Sequence, residues 1–368
     1  MKKLYFLLTL GLLTACSPQT GDQMAGGKVQ QKAKNIVLLI GDGMGLTQIS
    51  AGLYTNNNKL NLEQFKEIGL HKSYSSDNLI TDSAAGATAF ACGKKTYNGA
   101  IGVDPDTIRL ITILEEAEER GMATGLVATS TIVHATPASF IAHVKSRQMY
   151  EEIAAQFLDT EIDYFVGGGK KYFDRRDTDE RNIIQELEAK GYQMSNYFEQ
   201  DLDSIRINPN KNFGYLTSDA DPITVSQGRD YLLTASEKGI RFLKQKSNEG
   251  FFIMIEGSQI DWGGHANNSD YITTEMIEFD RVIGQVLDFA KADGETLVVV
   301  TADHETGGYA INPGSEMGNI VPGFTSDYHT GALIPVFAFG PGAELFSGIY
   351  ENTAIYHKMK AALGMNSK

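Results

Sequence analysis

The 368-residue chain predicts an α/β fold, a mostly parallel central sheet with helices on both faces. Short apolar runs without alternation recur along the chain, and between them apolar residues fall at helical spacing. Acidic, histidine and hydroxyl side chains stand just after several of the runs, as they do where parallel strands end together at one edge.

The runs are residues 35–40, 123–128, 163–166, 251–255, 296–300 and 334–339. Continuous apolar runs suit strands buried on both faces, the habit of parallel sheets. Residues 108–120 place Ile111, Leu114 and Ala117 on one helical face. Residues 272–292 repeat Met276, Phe279, Ile283, Leu287 and Ala290 at the same spacing. Strands alternating with helices imply a sheet covered by its own crossovers. Residues 182–228 are more polar, with weaker strand signals, and read as a peripheral excursion. No repeat or linker interrupts residues 35–368, so one domain is expected there.

The N-terminus has a different grammar. Lys2 and Lys3 precede an apolar stretch, residues 4–13, that is too short to span a bilayer. Leu13-Thr14-Ala15-Cys16 then resembles the bacterial lipobox. Residues 1–16 are therefore expected to form a lipoprotein-type signal peptide ending at a lipidated Cys16; the alternative is an ordinary secretory peptide with an incidental cysteine. Residues 17–34 are polar and Gly-containing, and read as a flexible tether. The expected address is the periplasm or cell envelope, with a lipid anchor in a membrane. With Cys16 acylated only Cys92 remains, so no intrachain disulfide forms and metals are the remaining staples.

The residues after the runs carry the chemistry. Asp42 follows 35–40; His134 and Thr136 come after 123–128; Glu256 and Asp261 follow 251–255; Asp303 and His304 follow 296–300. Imidazole and carboxylate suit zinc, and carboxylate and hydroxyl oxygens suit magnesium. Asp261-Trp262-Gly263-Gly264-His265 sets a carboxylate four residues from an imidazole. One such pair is weak evidence, but four clusters, each after a strand, point to a metal centre. The formal charge of −14, from 32 basic and 46 acidic residues, argues against a nucleic-acid partner. An acidic chain would repel an anionic substrate, a difficulty that disappears if many of the key carboxylates hold cations, which reverse the local field.

Ser83, in Thr81-Asp82-Ser83-Ala84-Ala85-Gly86, is the candidate nucleophile. Its plainer reading is helix capping by Asp82 or Ser83. The two are compatible, because a helix N-terminus also favours a phosphoryl group. Arg147 offers a bidentate fork for phosphate, or else an ordinary surface charge. No Ser-His-Asp arrangement is evident.

Gly41-Asp42-Gly43-Met44-Gly45, Thr81-Asp82-Ser83-Ala84-Ala85, Thr96-Tyr97-Asn98-Gly99, Ala135-Thr136-Pro137-Ala138, Glu256-Gly257-Ser258-Gln259-Ile260-Asp261 and Thr301-Ala302-Asp303-His304-Glu305 resemble, in order and spacing, the motif series of bacterial alkaline phosphatases. The likeness runs from about residue 35 to the C-terminus and is greatest to the compact bacterial type. It implies an alkaline-phosphatase-like fold and broad phosphate monoester hydrolysis through a phosphoserine on Ser83. Asp261, His265 and His329 would hold one zinc, and Asp42, Asp303 and His304 a second. Asp42, Thr136 and Glu256 would hold magnesium, with His134 close by. Arg147 would grip the phosphoryl oxygens and Asp82 would orient it. A homodimer is implied at family level.

Two departures stand out: His134 where many members have Asp, and Trp262 where many have Lys or His. They predict a third site less selective for magnesium; packing is the plain reading of Trp262. Residues 305–327 are short beside the crown insertions of many relatives, which predicts an open mouth. The Cys/Ser-x-Pro-x-Arg motif of a sulfatase is missing from the nucleophile region. A phosphodiesterase and a phosphate-capturing lipoprotein are the remaining rivals. His71, His143 and His357 read as ordinary core or surface residues.

Overall fold

The computed structural model describes residues 32–365, with Met1 and Lys3; Cys16 and most of the tether lie outside the described residues. In chain order the strands are β1 Asn35–Gly41, β2 Glu67–Lys72, β3 Ala123–Thr131, β4 Tyr164–Gly168, β5 Gln193–Asn196, β6 Phe213–Leu216, β7 Phe251–Gly257 and β8 Thr296–Thr301. There follow the short β9 Glu305–Thr306, β10 Ala310–Ile311, β11 Pro322–Gly323 and β12 His329–Thr330, then β13 Ile334–Phe339 and β14 Gly348–Glu351. Ten strands form one sheet in the order β14-β2-β13-β8-β1-β7-β3-β4-β6-β5.

β1 lies between β7 and β8, parallel to both, and every residue of the three is buried. Ile36, Leu38 and Ile40 enter the core on one face of the sheet, while Val37 and Leu39 enter the core on the other. Burial on both faces is why these strands read as unbroken apolar runs. Because chain order reverses at β1, a crevice opens beyond its carboxyl end.

β13 corrects the expectation of a parallel strand at 334–339: it runs antiparallel to both β2 and β8. The cause is its route. Other ligand-bearing segments leave the sheet at the carboxyl edge, whereas His329 precedes its strand. The chain is already at that edge when β13 begins, so β13 must run back.

The helix expected over 108–120 is shorter, Ile113–Glu118. Thr112 Oγ1 accepts from Glu115 N at 3.1 Å, and the Glu115 carboxylate accepts from Thr112 N at 2.8 Å. This capping box starts the helix at Thr112. Asp104 Oδ1 accepts from the amides of Asp106 and Ile108, which turns the preceding chain and leaves Ile108 and Ile111 exposed. The helix expected over 272–292 is Ser269–Asp293, capped by Asn268 Oδ1 on Tyr271 N and ended by Gly294 at φ 72°. Residues 182–228 are less peripheral than expected, because β5 and β6 build one edge of the main sheet.

His71 on β2 is fully buried, with Nε2 2.9 Å from the Ala302 carbonyl. Burial holds its imidazole down at about 4, against an ordinary 6.5. As pH falls the unfolded chain takes the proton first. The stability this neutral ring contributes above pH 6.5 is therefore lost between about 6.5 and 4, and at about pH 5 the loss is on the order of 2 kcal/mol. Urea denaturation of metal-free protein checks this: the stability gap between wild type and His71→Gln should narrow by about 2 kcal/mol from neutral pH to about pH 5.

Candidate active site and metal centre

The side chains singled out after the strands meet at the carboxyl edge in three donor clusters. These are Asp261, His265 and His329; Asp42, Asp303 and His304; and Asp42, His134 and Glu256. Within each cluster one donor atom per residue lies within 4.8 Å of the others. Asp42 belongs to the second and third, and the His304 and His329 rings, stacked at 3.4 Å, set the first beside the second.

In the first, the Nε2 atoms of His265 and His329 are 3.2 Å apart. They lie 3.4 and 3.6 Å from the Asp261 oxygens. Each Nδ1 faces a backbone carbonyl, that of Asp327 for His265 (2.6 Å) and that of Thr81 for His329 (2.8 Å). Both Nδ1 atoms therefore carry a proton, so Nε2, on the Asp261 side, is the atom each ring would offer to a cation. The helix Gln259–His265 spaces Asp261 and His265 by one turn. His329 arrives on β12, paired with Thr306 of β9.

In the second cluster His304 Nε2 lies 3.2 Å from Asp303 Oδ2, 3.5 Å from Asp42 Oδ1 and 3.3 Å from Ser83 Oγ. Asp303 Oδ1 accepts from the amides of Gly43 and His304, which turns Oδ2 toward the cluster. In the third, Ser258 and Ser130 donate to Glu256 Oε2 at 2.6 and 3.3 Å. Oε1 is left without a partner.

A metal centre fits this arrangement. Both oxygens of Asp42, Oδ2 of Asp303, Oε1 of Glu256, Oγ1 of Thr136 and Nδ1 of His134 are buried with no hydrogen-bond partner. Buried polar atoms rarely stay unpaired, and six on residues of one buried centre call for cations. Burial, then the charges of Asp303, Asp261 and Glu256, lift the Asp42 carboxyl well above its ordinary range. Burial pushes Glu256 up to about 7. Without a cation the centre resists its own negative charge; a bound cation removes that penalty.

Ser83 is the first residue of the helix Ser83–Cys92, all of which is buried. Asp82 is the cap: its Oδ1 accepts from Ala85 N at 3.0 Å, while Oδ2 accepts from Arg147 Nη1 at 3.0 Å. One carboxylate thus starts the helix and aims the guanidinium. A Cβ on Gly86 would sit 3.0 Å from Asp303 Cβ, so this glycine lets the helix lie against the second cluster. Arg147 Nη2 is 3.3 Å from His134 Nε2, and the Trp262 ring stands edge-on to His134 at 6.2 Å. A cavity of 360 Å³ joins Ser83, Arg147, Trp262, His265, Tyr328 and His329. A larger cavity of 670 Å³ adjoins it across Gln148 and Tyr150, but holds neither nucleophile nor donor cluster.

All the predicted site residues within the described chain converge here. The sequence reading missed residues that brace the site. Gln48 Nε2 binds Glu305 Oε1 (2.7 Å) and the Thr306 carbonyl (2.8 Å). Asn98 Oδ1 accepts from Asp82 N, and the Gly99 carbonyl accepts from Arg147 N. Asn98 and Gly99 lay in a quoted motif without a role; Gln48 carried no signal. His71 and His143 make structural hydrogen bonds, and His357 is exposed.

The family model for alkaline phosphatases matches residues 33–323 and 318–365. The chain belongs to the alkaline phosphatase family. Alkaline phosphatase 3 of Bacillus subtilis (strain 168) is 34% identical to it, over 97% of this chain and 95% of its own length. Alkaline phosphatase of Escherichia coli (strain K12) is 31% identical, over 94% and 90%. The solved alkaline phosphatase from the Antarctic bacterium TAB5 shares 45% identity, covering 92% of this chain and all of that one, with a TM-score of 0.87. A histidine-to-aspartate variant of the TAB5 enzyme, with a TM-score of 0.86, has magnesium bound in its M3 site. Membership makes the chain a phosphomonoester hydrolase with a metal-binding site. The family's α/β architecture is the one described above.

Proposed function

We propose that the chain hydrolyses a broad range of phosphate monoesters in two displacements through a phosphoserine on Ser83, with two zinc ions and one magnesium ion. One observation carries the reading: Ser83 Oγ lies 3.3 Å from His304 Nε2, at the junction of a helix N-terminus and a donor cluster. The first two clusters, with two histidines and one carboxylate or the reverse, match zinc; the third, where Asp42, Glu256 and the Thr136 hydroxyl supply oxygens and His134 a nitrogen, is the one assigned to magnesium. When bound, these ions supply Lewis-acid charge to the attacking and departing oxygens and ease deprotonation of water.

The chain's own groups do the rest. Arg147, held by Asp82, grips two phosphoryl oxygens, and the Ser83 helix directs its positive end at the same group. Ser83 Oγ attacks phosphorus; the ester P–O bond breaks, and the departing alcohol leaves with the serine's proton. Water then attacks phosphorus, the P–Oγ bond breaks, Ser83 regains a proton and phosphate departs. No step reads the alcohol's structure, so varied monoesters are accepted. Assay of an aryl phosphate and an alkyl phosphate tests this: comparable kcat for both is expected, and turnover of only one contradicts it.

His134 places a nitrogen donor in the third cluster. The TAB5 variant with magnesium in M3 carries aspartate in place of a histidine. Magnesium prefers oxygen, so this chain's third site should select it weakly. Trp262 forms part of the cavity wall beside His134. A lysine there would set a cation near phosphate. Trp262→Lys should therefore lower the inhibition constant for inorganic phosphate and, where product release limits turnover, kcat as well. Phosphate inhibition and metal content measured on one sample check it. Unchanged inhibition with full metal means that Trp262 only packs.

The lipobox-like run supports export and a lipid anchor at Cys16, with residues 17–34 as tether and 35–368 as catalytic domain. No helix among the described residues is long and apolar enough to cross a membrane. Wild type should take up fatty-acid label and Cys16→Ala should not; an unlabelled wild type refutes the anchor. Family membership supports a homodimer.

A further inference from the structure

Thr306, two residues after His304, is wholly buried. Its hydroxyl donates to Asp261 Oδ1 and lies 3.2 Å from His304 Nδ1. Asp261 belongs to the first cluster and His304 to the second, so one hydroxyl touches ligands of both. Its single proton is spent on Asp261, and it meets the imidazole with a lone pair. His304 must then carry its proton on Nδ1. Its Nε2 lone pair is left facing Asp42, Asp303 and Ser83.

The position is built from several sides. Gln48 Nε2 holds the Thr306 carbonyl, and β9 pairs Thr306 with His329. A Cβ on Gly43, beside Asp42, would fall 2.7 Å from Thr306 Oγ1. One on Gly264, beside His265, would fall 2.7 Å from Thr306 Cβ. Two glycines adjoining ligands thus leave room for this one side chain. Gly43 also takes a left-handed φ of 69°, which a larger residue resists.

We propose that Thr306 is a positioning residue whose hydroxyl couples the two zinc sites, fixing the tautomer of His304 and the orientation of Asp261 at once. This rests on the reading of both clusters as zinc sites. Hydrogen-bonded supports of metal ligands govern affinity through ligand orientation and basicity, so loss of the hydroxyl should weaken both sites together.

The test titrates metal-free wild type, Thr306→Val and Thr306→Ser with zinc against a chromophoric chelator. Cobalt(II) spectra of the same proteins report ligand geometry. Wild type should show two tight steps. Thr306→Val, which keeps the shape, should bind about 10–100-fold more weakly at both steps, with altered cobalt bands. Thr306→Ser should stay close to wild type. Wild-type affinity of Thr306→Val at either step overturns the coupling. A serine variant as weak as the valine variant also overturns it, because shape would then be responsible. If Thr306→Val does not fold, Thr306→Ala, which adds no bulk, takes its place in the titration. A wild type lacking two tight sites refutes the zinc reading itself, whereas an unaffected valine variant beside a normal wild type refutes only the role of Thr306.

Discussion

Ser83→Ala is expected to lower kcat by about 10³–10⁶-fold while leaving the fold and metal content unchanged. The fold should survive because Asp82, not Ser83, caps the helix, and Asp82 also holds Arg147. Metal binding should survive because each cluster has three other donors. Residual hydrolysis would come from water attacking the bound ester directly. Steady-state kinetics with an aryl phosphate, on a sample whose metal content is measured, is the check. Near-normal turnover would remove Ser83 from the nucleophile's role.

Chelation should abolish activity and lower thermal stability together. Stripping the centre returns the carboxylates of Asp42, Asp303 and Glu256 to a buried site where they repel one another. An ion present at one hundred times its Kd stabilises the fold by about 2.7 kcal/mol. Removing three should lower Tm by roughly 10 °C or more. Zinc should restore most of both properties and magnesium a further part. Calorimetry and assay on one sample check this, and full activity in metal-free protein would contradict it.

The sequence showed some parts of this molecule better than others, for physical reasons. β1, β3, β7 and β8 were legible because every residue in them is buried. A run buried on both faces carries no mark of direction, however, so the reversal of β13 was not legible. β2 and β14 escaped notice because they lie toward one edge: β2 mixes buried with exposed residues, and no residue of β14 is fully buried. In the site, Asp, His and Glu after strands announced themselves by type and place. Gln48, Asn98 and Thr306 did not, because amides and hydroxyls serve turns and caps throughout a chain. Only the fold shows which of them brace the site.

The central claim is that hydrolysis passes through a covalent phosphate on Ser83. Stereochemistry tests it without requiring the intermediate to accumulate. Each in-line displacement inverts phosphorus, so two in succession restore its configuration. The decisive measurement transfers an isotopically chiral phosphoryl group from a monoester to an acceptor alcohol and reads the configuration of the product. The two-step route through Ser83 predicts net retention; net inversion, the mark of a single direct displacement, would contradict it.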